Sequence, residues 1–209
     1  MLSVKRLTRA EQNERNRSLV LDAARAIFLA RGYHAATVEE IAEEAGFSRG
    51  VVYSQFGNKP DLFLALLDQR IEEGIRRNDA LARGLSGESG LVALVEQLAR
   101  RQSDDHEWGM LVIEFRVHAA RDPELSRRYA AAHRRTIEGL ATVLVGLYER
   151  AGQELPFPAH QMAEVLWALN SGAQLEQAAN PLAMAGPLRD RLLARLFAAP
   201  AVAEAEQAT

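Results

Sequence analysis

A group of hydrogen-bonding side chains lies between residues 49 and 55. It provides a guanidinium group, two hydroxyl groups and an amide, which belong to Arg49, Tyr53, Ser54 and Gln55. Val52 and Phe56 are four residues apart, so on a helix they point inward together and leave the polar side chains and Gly50 outside. Donors and acceptors on the outer face of a short helix are placed where the major groove of DNA would meet them.

A second short helix is predicted directly before this group. Apolar residues recur there at i, i+3, i+4 and i+7 while glutamates take the other face, the two sets being Val38, Ile41, Ala42 and Ala45, and Glu39, Glu40, Glu43 and Glu44. Thr37 fits the N-cap, and Glu40 completes a capping box. Gly46 fits a left-handed turn, Phe47 can fill the corner, and Ser48 can cap the next helix. The pattern predicts a helix-turn-helix.

Residues 17 to 65 resemble the DNA-binding domain of the TetR (tetracycline-repressor) family of transcriptional regulators. The resemblance begins with LDAARAIFLARGY at residues 21–33, continues through the helix-turn-helix, and ends with YSQFGNKPDL at residues 53–62. Pro60 departs from the family, which often has an acidic or small residue there, but a proline fits the first turn of a helix. Beyond residue 80 only the architecture is family-like.

The resemblance implies that the second helix of the motif is a recognition helix. Arg49 would then fork onto guanine or clamp a phosphate, Ser54 and Gln55 would bind base edges or backbone, and Tyr53 would reach a phosphate. Gly50 would allow close approach. The N-termini of the two helices that flank the recognition helix would bind phosphates. The DNA-binding residues that the resemblance implies are Thr37, Ser48, Arg49, Gly50, Tyr53, Ser54, Gln55 and Lys59.

Structural roles remain open for several of these residues. Without the resemblance, the alternative for Tyr53 is a core tyrosine with its hydroxyl at the surface, for Lys59 a solvated lysine, and for Arg49 an exposed arginine. A basic arm at residues 1–10 is either a solubilising tail or a minor-groove or phosphate contact, carried by Lys5, Arg6 and Arg9.

The net charge of −3 conceals an uneven distribution along the 209 residues. Residues 1–60 hold nine basic and seven acidic residues, a balance of +2, and the remainder holds sixteen against twenty-one, a balance of −5. Salt screens charges over about 8 Å, so the local surface governs binding to DNA. No segment approaches the roughly 20 apolar residues of a membrane span, and cysteine is absent, so we expect a cytoplasmic protein.

The rest of the chain predicts an all-α fold. Helices are expected at residues 11–31, at 59–82, from 91, at 104–120, from Pro123 to near Gly152, at 159–180 and at 188–198. In the first helix the predicted buried side consists of Leu19, Ala23, Ala26, Ile27 and Ala30. We therefore predict a DNA-binding domain at residues 1–58, an effector-binding and dimerisation domain at 59–199, and a frayed tail at 200–209.

The resemblance further implies a homodimer that binds a palindromic operator, because a second recognition helix would read a second half-site. Pairing through the last two long helices assigns to the interface Val165, Leu169, Gly172, Ala173, Leu192 and Leu196. An unidentified small-molecule effector is expected in the larger domain, lined by Trp108, Met110, Phe115, His118, Trp167, Asn170 and Gln174. Glu114 and His118, four residues apart, could also meet a ligand or ion.

The leading hypothesis is a ligand-responsive, dimeric DNA-binding regulator, a repressor that a small molecule releases from its operator. The alternatives are an all-α enzyme and a protein-interaction adaptor that does not bind DNA. The five histidines form no HExxH or other metal-ligand spacing, and no glycine-rich phosphate loop occurs. We therefore expect no enzymatic activity, no cofactor and no metal.

Overall fold

Seven α-helices form the regular structure of the part of the chain that is described. The computed structural model describes residues 8–83, 90, 93, 106–180 and 183. The helices are α1 (Arg9–Ala35), α2 (Val38–Glu44), α3 (Arg49–Phe56), α4 (Lys59–Ala82), α5 (His106–Ala119), α6 (Pro123–Ala151) and α7 (Ala159–Ala179). No strand occurs within these ranges, and the all-α prediction is confirmed. Most of the helix predicted from residue 91, the last helix and the tail lie outside the described residues.

Local capping fixes α2 and the turn that follows it. The Thr37 hydroxyl accepts a bond from the Glu40 N–H at 3.2 Å, and the Glu40 carboxylate accepts one from the Thr37 N–H at 3.1 Å. Gly46 has φ +72°, and the Phe47 N–H donates to the Ala42 carbonyl at 2.9 Å, which closes a Schellman turn. Ser48 is the N-cap residue of α3, as predicted, but its side chain makes no capping hydrogen bond.

The first helix differs from its prediction in extent and in its buried face. It begins at Arg9, after an N-cap at Thr8, and it is broken at Gly32, where φ is 75° and ψ is 169°. Residues 9 and 10 of the predicted arm are therefore helical. Ala23 is buried as predicted, whereas Leu19, Ala26 and Ala30 are exposed. The other buried residues before the break are Val20, Leu21, Ala24 and Phe28.

Helices α4 and α6 run in the same direction and are joined by ion pairs. Asp61 pairs with Arg128, and seven residues further along both helices Asp68 pairs with Arg135 at 2.8 Å. Glu72 adds a second carboxylate 3.5 Å from the Arg135 guanidinium. We call these five side chains the ionic seam. It fixes the register of α4 against α6.

Two buried clusters form the core. One extends from α1 through α2, α3, α4 and α5 to the first turns of α6, and the other lies between the rest of α6 and α7. The domain boundary predicted after residue 58 does not divide the first cluster, so the helix-turn-helix shares its core with α5. Among the described helices, none is long and apolar enough to span a bilayer.

Candidate nucleic-acid interface

The outer face of α3 is open to solvent. Val52 and Phe56 are buried as predicted, while Tyr53 is 42% exposed. Arg49, Gly50 and Ser54 are also exposed, and the Ser54 hydroxyl donates to the carbonyl of Val51 at 2.8 Å. The inward pair thus anchors α3, and its polar face remains accessible.

Gln55 differs from its neighbours on α3. Its side chain is half-buried, and its Oε1 atom is hidden from solvent without a hydrogen-bond partner. A buried acceptor without a donor costs free energy, on the order of 1–3 kcal/mol. A rotation of the side chain that exposes Oε1 to a donor would relieve that cost.

Arg49 is held by an ion pair with the preceding helix. Its Nη1 lies 2.8 Å from Glu39 Oε1, and both side chains are largely exposed. The pKa of Glu39 is lowered, first by a hydrogen bond to its own backbone N–H and then by the bond from Arg49. This contact uses one of the five N–H donors of the guanidinium.

Lys59 has a structural role, and its predicted contact with DNA stays a prediction. Its ammonium group donates to the carbonyls of His34 at 3.0 Å and Ala36 at 2.7 Å, and it lies 4.8 Å from the centre of the Tyr33 ring. Burial lowers its pKa, and the charge of Glu114 opposes that shift. An ammonium has three donors, so one remains for a phosphate.

Two further side chains complete the edge of this surface. Thr37 is exposed, but its hydroxyl is occupied by Glu40, to which it donates at 3.0 Å. Arg17 places its guanidinium 4.7 Å from the centre of the Phe56 ring and so supports the end of α3. Arg17 therefore braces the recognition helix from α1.

The break in α1 is bound by α5. Glu114 accepts hydrogen bonds from the backbone N–H groups of Tyr33 at 2.9 Å and His34 at 3.1 Å. His118 lies one turn later on α5, and the centroid of its ring is 5.0 Å from that of Tyr33 and 5.2 Å from that of His34. The pair predicted to meet a ligand or ion contacts the end of α1 instead.

The predicted effector-lining residues occupy different environments. Phe115 is fully buried among aromatic rings, and its ring centroid lies 4.2 Å from that of Phe63. Gln174 is buried directly against Gly109, where a Cβ would lie 1.9 Å from its Oε1. Four other predicted lining residues are half-buried, namely Trp108, Met110, Trp167 and Asn170.

A polar-aromatic group links α6 to α7 near Trp167. The ring of His133 stacks on Tyr129 at 6.0 Å and lies 5.7 Å from Trp167, whose Nε1 is buried without a partner. Burial and then the charge of Arg116 lower the pKa of His133. Burial raises the pKa of Tyr129 to about 12.

The predicted dimer face is split between core and surface. Val165 is 52% exposed and Leu169 39% exposed, and Gly172 is exposed on the same side. Ala173 is buried within the chain itself, so its assignment to a partner contact is wrong. Leu192 and Leu196 lie outside the described residues.

Sequence reasoning missed three residues that shape the interface. The sequence analysis places Glu39 on the polar face of the second short helix and gives Glu114 a possible ligand contact, and it assigns no role to Arg17. The partners of Glu114 are 80 and 81 residues away, so no helical spacing could indicate them. Gly32 was the available signal, because the turn that restarts after a break at a glycine begins with N–H groups that have no acceptor within the helix.

Two family models match the chain. Residues 20–66 match the model for bacterial regulatory proteins of the tetR family. Residues 87–200 match the model for the C-terminal part of BetI-type transcriptional repressors. The second match alone covers more than half of the chain, and together the two span both the helix-turn-helix and the helices beyond it.

Similar proteins are transcriptional regulators. The activator FasR of Mycolicibacterium smegmatis is 34% identical over 53% of this chain and 50% of its own length. The repressor AcnR of Corynebacterium diphtheriae is 30% identical over 58% of this chain and 59% of its own. The chain thus spans about half to three fifths of these relatives.

Solved structures share the fold across most of the chain. FadR from Bacillus subtilis, in complex with stearoyl-CoA, has a TM-score of 0.68 at 17% identity over 87% of this chain and 97% of FadR. A regulator from Saccharomonospora viridis in complex with choline has a TM-score of 0.68 at 20% identity over 86% and 94%. With both halves matched by family models and the fold shared, the chain belongs to the TetR family of transcriptional regulators.

Proposed function

We propose that this protein is a dimeric repressor that binds a palindromic DNA operator through α3 and leaves it when a small molecule binds the C-terminal helices. The observation that carries the proposal is the open face of α3. Two buried side chains anchor this helix, and Arg49, Tyr53 and Ser54 remain exposed beside them. A helix held in this way can enter a major groove without unfolding any part of the core.

Recognition of bases is assigned to Arg49 and Gln55. A bidentate contact from either side chain contributes about 1–3 kcal/mol of discrimination against the wrong base. Thr37, Tyr53 and Lys59 are assigned to phosphates, because contacts with the DNA backbone set the register of the protein. Ser48, Gly50 and Ser54 complete the surface.

Dimerisation is assigned to the exposed side of α7. Val165, Leu169 and Gly172 recur at i, i+4 and i+7, and the neighbouring Ala168 and Leu175 are also exposed. An apolar stripe on the outside of a helix favours burial against a second copy of itself. Two copies would present two recognition helices to half-sites about 34–36 Å apart.

Effector binding is assigned to the helices α5 to α7. FadR and the regulator from Saccharomonospora viridis share this fold and were crystallised with stearoyl-CoA and choline. Trp108, Met110, Trp167 and Asn170 are the predicted lining residues that a small rearrangement of these helices would expose. An effector releases DNA only to the extent that it binds the released conformation more tightly.

Selection from a random duplex library, with the full chain as bait, tests the proposal. We expect enrichment of a site with two inverted half-sites about one helical turn apart. A parallel selection with the Arg49→Ala variant should enrich a site in which one position of each half-site has lost its base preference. A library that remains random with the folded wild type would refute DNA recognition.

A further inference from the structure

We propose that Glu114 is a positioning residue through which the C-terminal helices set the placement of the recognition helix. The inference rests on the proposed DNA-binding function and concerns its control. Glu114 lies on α5, outside the helix-turn-helix, and both carboxylate oxygens bind backbone N–H groups at the break in α1.

The break in α1 is shaped to receive this carboxylate. Gly32 has φ +75°, a conformation that leaves the N–H groups of Tyr33 and His34 without acceptors inside the helix. A Cβ at Gly32 would lie 2.9 Å from Glu114 Oε2, so a larger residue would displace the carboxylate. Bonds from N–H groups to a charged acceptor are stronger than those to a neutral one.

Apolar contacts fix the same junction. The Tyr33 ring lies 4.9 Å from that of Phe115 and 5.0 Å from that of His118. These two residues follow Glu114 by one and four positions, so α5 holds the end of α1 with polar and aromatic groups together. A movement of α5 must therefore move residues 33 and 34 or break these contacts.

The far side of the junction leads to the recognition helix. Lys59 begins α4 two positions after Gly57, the C-cap of α3, and binds the carbonyls of His34 and Ala36. The end of α1 is thus held by α5 through Glu114 and by α4 through Lys59. A displacement of α5 would therefore be transmitted through Glu114 and Lys59 to the segment that joins α3 to α4.

The test measures the spacing of the DNA-binding halves within the dimer. The chain has no cysteine, so a Glu44→Cys substitution on the exposed side of α2 gives one spin label per copy. In this background Glu114→Gln removes the charge at nearly constant shape. Glu107→Gln, an exposed carboxylate two turns earlier on α5, is the matched control.

For Glu114→Gln we expect a broader or shifted distance distribution between the two labels and about tenfold weaker binding of the selected duplex. Helicity and dimerisation should be retained, and Glu107→Gln should match the parent protein in every measurement. Glu114→Asp, which keeps the charge but withdraws it by one methylene, should give a smaller change in the same direction.

Unchanged distances and unchanged affinity in both Glu114 variants would overturn the inference. Loss of dimer or of duplex binding in the parent protein itself would instead contradict the proposed function. The two failures are therefore distinguishable.

Discussion

In the proposed complex with DNA, the Glu39 carboxylate would compete with a base or a phosphate for the guanidinium of Arg49. The ion pair spans 2.8 Å between exposed groups, and exposed pairs of this kind contribute little to folding stability. In the proposed complex its effect on binding would be larger, because the carboxylate would also place a negative charge beside the groove. We interpret Glu39 as a competitor that limits non-specific binding.

Substitutions of this pair should change DNA binding in opposite directions. Glu39→Gln frees Arg49 and removes a repulsive charge, so affinity for any duplex should rise a few fold. Arg49→Ala should weaken binding of the selected site by about tenfold or more, as expected for loss of one good base contact. Fluorescence anisotropy measures the affinity of each variant for the selected duplex and for a duplex of unrelated sequence. Glu43→Gln is the control. Weaker binding by Glu39→Gln would contradict the interpretation.

His133 should make folding stability depend on pH. Because burial lowers its pKa in the folded state, the folded protein binds fewer protons than the unfolded one below about pH 6.5. The stabilisation by the neutral ring is complete above that pH and is lost as the pH falls towards the folded pKa. Denaturant unfolding of the wild type and His133→Gln at pH 7.5 and 5 should show a smaller loss in the variant, and equal losses would refute this role.

Single residues were predictable where local chemistry determines them. The hydroxyl of Thr37 suits a helix N-cap, and Gly46 can adopt a positive φ, so both roles were predictable from the residue types. The partners of Arg49, Lys59 and Glu114 depend on how distant segments meet. No spacing along the chain specifies such contacts.

The ionic seam joins α4 to α6 at two levels along the helices. Its pairs recur every seven residues, which is two turns, so a change of register would break them together. Gly139 also permits close approach here, since a Cβ at this position would lie 2.6 Å from Ile75 Cγ1. The seam should therefore resist sliding of α4.

Removal of the central arginine tests this role. Arg135→Ala should lower the free energy of unfolding by about 0.5–1 kcal/mol in low salt, since its side chain is 42% exposed and screened by solvent. The difference from wild type should shrink in about 1 M salt, because exposed charges are then screened over roughly 3 Å. Arg134→Ala, the exposed neighbour, is the control, and a salt-independent loss would indicate packing instead.

The elements themselves were largely predictable, and their orientation was not. The ends of α4, α6 and α7 lie within a residue or two of the predicted ends, because Asn58, Pro123, Gly152 and Pro158 mark them. The buried face of α1 was wrong because alanines occupy both sides of that helix and give little hydrophobic contrast. Only packing against α2, α4 and α5 decides its rotation.

At the level of the whole molecule, the exposed stripe on α7 connects folding to function. One recognition helix reads only a few base pairs, so a monomer would bind a half-site weakly. Two copies paired through Val165, Leu169 and Gly172 would combine their contacts on one operator. In the proposed mechanism, specific binding would therefore require the dimer.

A charge in the centre of this stripe should separate the copies. Leu169→Glu places a carboxylate where an apolar contact is expected, and a buried unpaired charge is strongly unfavourable. Sedimentation should show a monomer with unchanged helicity and weaker operator binding. Ala178→Glu, also exposed but on another side of α7, should remain dimeric, and a dimeric Leu169→Glu would place the interface elsewhere.

The most direct test of gene regulation by this protein is a titration of the full chain against the selected duplex and a scrambled duplex over a range of salt concentrations. The account predicts a preference for the selected duplex of about 10³-fold or more. It also predicts that affinity falls steeply, by about 10³-fold or more, between about 50 and 200 mM salt, because phosphate contacts release counterions. Equal affinity for both duplexes, or affinity independent of salt, would contradict it.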